Sequence, residues 1–299
     1  MYSRLLVPLD GSRLAESVLP AVQCLASVGH ATVLLLHVIE RDAPAAVHGD
    51  RHLTTVSQAD SYLEELAKQL RAAGITVETH AHPAPEGDVA RSIVEHTGEQ
   101  RADLVVLCTH GRSKMRDLLF GRIAQQVLRR GTAPVLLIRP REDGTVASFE
   151  PRTVLIPLDG SPAAEAALAP AGELAVAFGA TLHLVTIVPT QETLRGDRQA
   201  VGTLLPAATR AELDLEQSDA ETYLDGLAAD VSAIAPVTIQ VPRGDVGAVL
   251  AERASAPDIG LVVMATHGRA GLQAVWGGSV AAHLLTRVRA PILLIRVEV

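Results

Sequence analysis

Two aspartates stand where an apolar run turns into a serine: Asp10 in Pro8-Leu9-Asp10-Gly11-Ser12 and Asp159 in Pro157-Leu158-Asp159-Gly160-Ser161. A carboxylate there can accept hydrogen bonds from a ligand, or it can simply brace the turn and the helix start behind it. A second set lies further on, where Thr266-His267-Gly268 is followed by nine residues and then Gly278-Ser279. Glycines at a strand end and a helix start let backbone N–H groups approach an anion, and Ser279 adds a hydroxyl, so phosphate is the chemistry this spacing suits. The competing reading is a glycine-rich turn that only closes a helix against a sheet. Arg269 directly follows Gly268, as Arg112 follows Gly111; such an arginine either screens phosphate charge or sits exposed without that duty. His110 and His267 precede these glycines with no nucleophile or spaced metal-ligand partner nearby, so hydrogen bonding to backbone in a turn accounts for them. His80 and His82 alternate at the end of a strand and point one way, and a surface placement suffices for them.

The motifs recur because the chain reads as one unit written twice. Leu6-Val7-Pro8-Leu9-Asp10-Gly11-Ser12 returns 149 positions later as Leu155-Ile156-Pro157-Leu158-Asp159-Gly160-Ser161. Gly87-Asp88-Val89 and Thr109-His110-Gly111-Arg112 return at an offset of 157, as Gly244-Asp245-Val246 and Thr266-His267-Gly268-Arg269. Both halves close alike, on Ala133-Pro134-Val135-Leu136-Leu137-Ile138-Arg139 and Ala290-Pro291-Ile292-Leu293-Leu294-Ile295-Arg296. Two domains of similar size are expected, 1–140 and 152–299, joined by a charged, Gly- and Pro-containing connector over 141–151.

Within each half, short β-branched or Leu-rich runs alternate with Ala-rich stretches at helical spacing, which calls for an α/β fold in βαβαβαβαβ order. The expected strands of the first half are Arg4 to Leu9, Thr32 to Ile39, Thr76 to Ala81, Leu104 to Cys108 and Val135 to Arg139. Their near-continuous apolar character suits a parallel sheet buried on both faces. Ser12 and Ser161 are placed to cap the first helices, with Pro162 at a first helical position. Tyr62, Leu63, Leu66, Ala67 and Leu70 make a core-facing stripe that returns as Tyr223, Leu224, Leu227, Ala228 and Val231, which reads the tyrosines as packing residues. Arg41 to Val56 and Pro189 to Arg210 are expected to be mobile loops. In an open parallel sheet ligands bind beyond the carboxyl ends of the strands, where the aspartates and glycines fall.

Composition removes several classes. Hydrophobic residues make up 48% and charged residues 20%, enough for packed cores and against disorder. A net charge of −8 with 3 Phe, 3 Tyr and 1 Trp argues against a basic groove with stacking platforms, and so against nucleic acid. Apolar runs are strand-sized, far short of the ~20 residues of a membrane span. Cys24 and Cys108 show no CxxC spacing and read as buried reduced thiols. With no basic leader or cleavage pattern at the N-terminus, a cytoplasmic location is expected.

Taken together, these residues resemble the universal stress proteins in their tandem-domain form, over nearly the whole chain. The resemblance implies two tandem Rossmann-like domains, each an open five-stranded, mainly parallel sheet with helices on both faces. Nucleotide-binding members carry Gly, two residues, Gly, nine residues, Gly and then Ser or Thr; Gly268, Gly278 and Ser279 match, with Ala265 at the first glycine. The family's nucleoside-contacting aspartate corresponds to Asp159, and the strand-two end that touches adenine falls at Ile187. ATP, with Mg²⁺, is thus implied in the second half, at Asp159, Ile187, Ala265, Gly268, Arg269, Gly278 and Ser279.

The first half departs further, with Cys108 at the first glycine position, Gly111 and Gly121 retained, and Arg122 where Ser or Thr is expected. Arg122 either fills an empty phosphate pocket or itself holds phosphate. Asp10, Val38 and Gly111 are the residues that would contact a nucleotide there. The implied role is nucleotide-dependent regulation in a stress response through a protein partner, without catalysis beyond slow, incidental hydrolysis. No GxxxxGK[ST] loop, base beside a nucleophile or two-metal carboxylate set is present. The alternative is a scaffold that binds no nucleotide and acts through protein contacts. The last strand of each half would be a sheet edge unless paired, so an intrachain pseudo-dimer is expected, with homodimerisation open.

Overall fold

The computed structural model describes residues 1–40, 46–47, 50–51, 53–84, 88–109, 122–140, 148–267, 284 and 287–297 of the 299-residue chain. It divides into two compact units: Met1–Phe149 with Pro291–Arg296, and Glu150–Ala290 with Val297–Val299.

Unit 1 runs β1 (Arg4–Pro8), α1 (Arg13–Glu16), α2 (Leu19–Gly29), β2 (Thr32–Glu40), a two-stranded pair β3 (Ala46–Val47) and β4 (Asp50–Arg51), α3 (Val56–Ala72), β5 (Thr76–Ala84), α4 (Val89–Glu99), β6 (Leu104–Cys108), α5 (Arg122–Arg130) and β7 (Val135–Ile138). The strands lie side by side as β5-β2-β1-β6-β7, all parallel, with Leu6 opposite Leu34 and Leu36 opposite His80. Leu5, Leu6, Leu35, Leu36 and Leu136 are fully buried, as continuous apolar strands covered on both faces require. Ser12 accepts the Ala15 N–H at the start of α1, and Thr55 and Asp88 cap α3 and α4 in the same way. The expected stripe on α3 is buried through Leu63, Leu66, Ala67 and Leu70.

Unit 2 repeats this plan with β8 (Thr153–Pro157), α6 (Pro162–Glu165), α7 (Leu168–Phe178), β9 (Thr181–Val185), a 3₁₀ turn (Gln191–Thr193), α8 (Asp197–Leu204), α9 (Pro206–Val231), β10 (Val237–Gln240), α10 (Val246–Ala254) and β11 (Leu261–His267). Its strand order β10-β9-β8-β11 matches the first four of unit 1. The fold is therefore α/β with tandem Rossmann-like sheets.

One feature was not legible in the sequence, and a second gives the form of a pairing that was expected. The segment Pro189 to Arg210 is not a loop: Val188, Leu194, Leu213 and Ala220, with Val241 against them, make a small core of their own, which folds the segment into the 3₁₀ turn, α8 and the start of α9. The last strand, β12 (Ile292–Val297), is grouped through Pro291–Arg296 with unit 1. There it pairs antiparallel with β7, Ile292 opposite Leu137 and Leu294 opposite Val135, while the Arg296 guanidinium donates to the Leu128 carbonyl at 2.6 Å. The pairing covers the edge that β7 would otherwise present.

Candidate functional site

In both units the chain leaves the first strand on one side and reaches the fourth strand on the other, so a crevice opens between the carboxyl ends of β1 and β6, and of β8 and β11. Asp159 follows β8 at this switch point. Its Oδ1 accepts the Ser161 N–H at 3.0 Å and the Ser161 hydroxyl at 2.6 Å, and Ser161 in turn caps α6 by accepting the Ala164 N–H. The turn thereby uses one carboxylate oxygen. Among the described residues Oδ2 makes no hydrogen bond, and the residue is exposed. Gly160 turns at φ +81°, and a Cβ added there would meet none of the described residues within 4 Å. Tyr223 on α9 donates its hydroxyl to Glu165 at 2.9 Å; burial first, then the carboxylates of Glu165 and Asp159, push its phenol above the ordinary range. That tyrosine, expected only to pack, braces the rim of the crevice.

At the end of the second strand the ladder is interrupted for a covalent reason. Thr186 donates its N–H to the Gln240 carbonyl at 3.2 Å and Val188 donates to the Pro242 carbonyl at 3.1 Å, as in a continuing parallel pair. Pro242 has no N–H to return to the Thr186 carbonyl, so the regular strand stops at Val185 and only an isolated Val188–Arg243 bridge remains. Between these points the main chain of Ile187 makes no hydrogen bond among the described residues. One N–H and one C=O are thus presented at the strand end, beside Thr186, whose hydroxyl donates to the Leu158 carbonyl at 3.1 Å.

Unit 1 keeps the scaffold and changes the fittings. Asp10 holds Ser12 as Asp159 holds Ser161, at 2.9 Å and 2.6 Å. His37 replaces Thr186 and donates Nδ1–H to the Leu9 carbonyl at 2.7 Å. The ladder does not break: β2 stays paired to β5 through Glu40, with Val38 opposite His82 and 7% exposed. Leu53 reaches over the turn, its side chain 3.0 Å from where a Cβ of Gly11 would lie. Cys108 is buried at the end of β6 and accepts a hydrogen bond from Ser17 at 3.4 Å; burial pushes its thiol up to about 12, so it stays a neutral thiol. No neighbouring pattern marks Leu53 in the sequence, whereas Pro242 at the position of His82 is visible once the halves are aligned on β5 and β10.

Of the residues expected at the site, the structure places Asp159, Ile187 and the half-buried Ala265, on β11, at the strand ends of unit 2, and Asp10 and Val38 at those of unit 1. Arg122 opens α5 with its side chain exposed. Gly268, Arg269, Gly278, Ser279, Gly111 and Gly121, with His110 and Arg112, lie outside the described residues.

The universal stress protein family model matches residues 1–139 and again 150–296. The chain belongs to the universal stress protein family. A universal stress protein of Mycobacterium tuberculosis is 30% identical over 211 residues, covering 69% of this chain and 65% of that protein. One of Mycolicibacterium smegmatis is 24% identical over 98% of this chain and 96% of its own length. Among solved structures, a universal stress protein from Archaeoglobus fulgidus superposes with a TM-score of 0.68 at 18% identity, over 98% of this chain and 96% of that one, which establishes the shared tandem fold. No described helix of this universal stress protein is long and apolar enough to cross a membrane.

Proposed function

We propose that this universal stress protein is a regulatory protein that binds an adenine nucleotide in unit 2, ATP with Mg²⁺ being the expected form, and that binding rather than turnover is its activity. The observation that carries the reading is the contrast at the first turn: no described residue within 4 Å of a Cβ at Gly160, against the Leu53 side chain over Gly11. The remaining fittings suit the ligand. Asp159 Oδ2 is available to a ribose hydroxyl, and the Ile187 N–H and C=O offer the donor and acceptor that an adenine edge complements. For the phosphates, the sequence motif of Gly268, Gly278 and Ser279 carries the amides and hydroxyl that an anion calls for. Ligand binding at the strand ends would change the surface offered to a protein partner.

Calorimetric titration of nucleotide-stripped protein with ATP, with and without Mg²⁺, tests the reading. One site per chain is expected, abolished by Gly278→Trp, weakened at least about tenfold by Asp159→Ala, as loss of a charged hydrogen-bond acceptor implies, and unchanged by Asp10→Ala. No heat and no thermal stabilisation at millimolar nucleotide would replace it with the scaffold that binds no nucleotide.

A further inference from the structure

The open edge of unit 1 carries a cluster that the nucleotide reading does not use. His80 and His82 lie two residues apart on β5, so their side chains leave one face of the strand, opposite Leu36 and Val38 of β2. His96, near the end of α4, comes over that face. Its ring centroid is 4.9 Å from that of His80 and 4.6 Å from that of His82. The pair expected at the surface is thus partly buried under a third histidine that is 5% exposed. One ligand nitrogen from each residue lies within 4.8 Å of the other two.

The chemistry of the cluster fits a cation. His96 donates Nδ1–H to the Ser92 carbonyl at 2.8 Å, which fixes the tautomer and leaves the lone pair on Nε2, as an outer-shell carbonyl does for metal-ligating histidines. Burial first, then the neighbouring histidines, push His80 and His82 below the ordinary imidazole range, so both offer lone pairs at neutral pH. The carboxylates of Glu99 and Asp60 act on His80, and those of Glu99 and Glu95 on His82, which makes the surroundings negative. The supports are stiff: β5 is paired to β2 along all nine residues, and α4 is capped by Asp88, itself bridged to Arg130.

We infer that His80, His82 and His96 form a binding site for a divalent first-row transition metal of the zinc type, with the fourth position left to water or an external ligand. Imidazole sets take Zn²⁺, Cu²⁺ or Ni²⁺, whereas Ca²⁺ and Mg²⁺ require oxygen ligands. Nitrogens bound to a tetrahedral zinc at about 2.0 Å stand about 3.3 Å apart, a contraction that small rotations of the three rings supply. Unit 2 is the internal control. At the corresponding positions it carries Gln240, Pro242 and Arg253, and Arg253 forms a two-pronged ion pair with Asp258 at 3.0 Å and 2.8 Å.

The test is titration of chelator-treated, full-length protein with Co²⁺, followed by the visible absorption of a tetrahedral site, then displacement by Zn²⁺ and a Zn²⁺-dependent rise in Tm. One ion per chain is expected, with His82→Gln and His80→Gln each weakening binding at least about tenfold, the lower end of what loss of even an outer-shell partner costs. Circular dichroism and the metal-free Tm of each variant confirm that it is folded; His82, near the end of the strand, is the milder change. Wild-type affinity in both folded variants would overturn the site, as would a purely octahedral cobalt spectrum with no shift in Tm. Neither outcome bears on ATP binding, which Asp159→Ala reports separately.

Discussion

Units 1 and 2 spend the same architecture differently. Both order their first four strands identically and both brace the turn after the first strand with an aspartate holding a serine that caps the next helix. In unit 1 that turn lies under Leu53, the second strand is paired to its end, and the far strand carries two histidines beneath a third. In unit 2 no described residue stands over the turn, Pro242 halts the ladder beside Ile187, and an arginine–aspartate pair fills the histidine position. Residues inside the sheet are constrained by packing on both faces, so the repeat survives there. Residues at strand ends face the crevice or solvent, and a substitution there changes a ligand rather than a core.

Where the halves agree, equal losses should follow. Leu63 and Leu224 are equivalent and each is 0% exposed, so Leu63→Ala and Leu224→Ala should each cost about 2–5 kcal/mol in denaturant unfolding. A much smaller cost in one would show that its helix is the more loosely packed. The first turn should then separate them. Gly11 and Gly160 both have positive φ, +86° and +81°, so alanine at either costs about 1–2 kcal/mol. Gly11→Ala must also displace Leu53 and should lower Tm further than Gly160→Ala.

A smaller difference lies in pH dependence. His183 of unit 2 accepts from Arg253 Nε at 3.1 Å and shares a hydrogen bond with Thr238 at 2.7 Å. Burial first, and then the Arg253 cation, hold its pKa below the ordinary value, with Gln240 and Asp258 opposing. The folded chain therefore refuses a proton that the unfolded chain accepts. The stability tied to His183 is complete above about pH 6.5 and is lost as pH falls toward the depressed folded value. His183→Gln should flatten the fall in urea midpoint over that window, and an unchanged slope would remove His183 as its source. The smallest expected effect is Pro242→His. It returns an N–H to the Thr186 carbonyl, which hydrogen exchange should report as a newly protected amide, with at most about 1 kcal/mol of net stabilisation.

The parts legible in the sequence were those set by local pattern. Strand positions followed from apolar runs, and the Ser12 and Ser161 caps followed from residue type at a helix start. Asp10 and Asp159 were readable as a pair, but one pattern supports two duties, and both do brace the turn; only the surroundings of the second carboxylate oxygen distinguish a ligand contact. Pro189 to Arg210 misled because its Leu194 meets apolar partners that lie outside the segment, Val188, Leu213, Ala220 and Val241, only after folding.

The sequence by itself determined the duplication, the α/β plan, the caps and the residue types at the strand ends, because these depend on neighbours within a few positions or on exact repetition. Tertiary structure alone decided what each strand end meets. It set Leu53 over Gly11 and brought His96 to His80 and His82. Each depends on contacts between residues far apart along the chain, and the free energy that selects them comes from burying whole faces together rather than from any local preference.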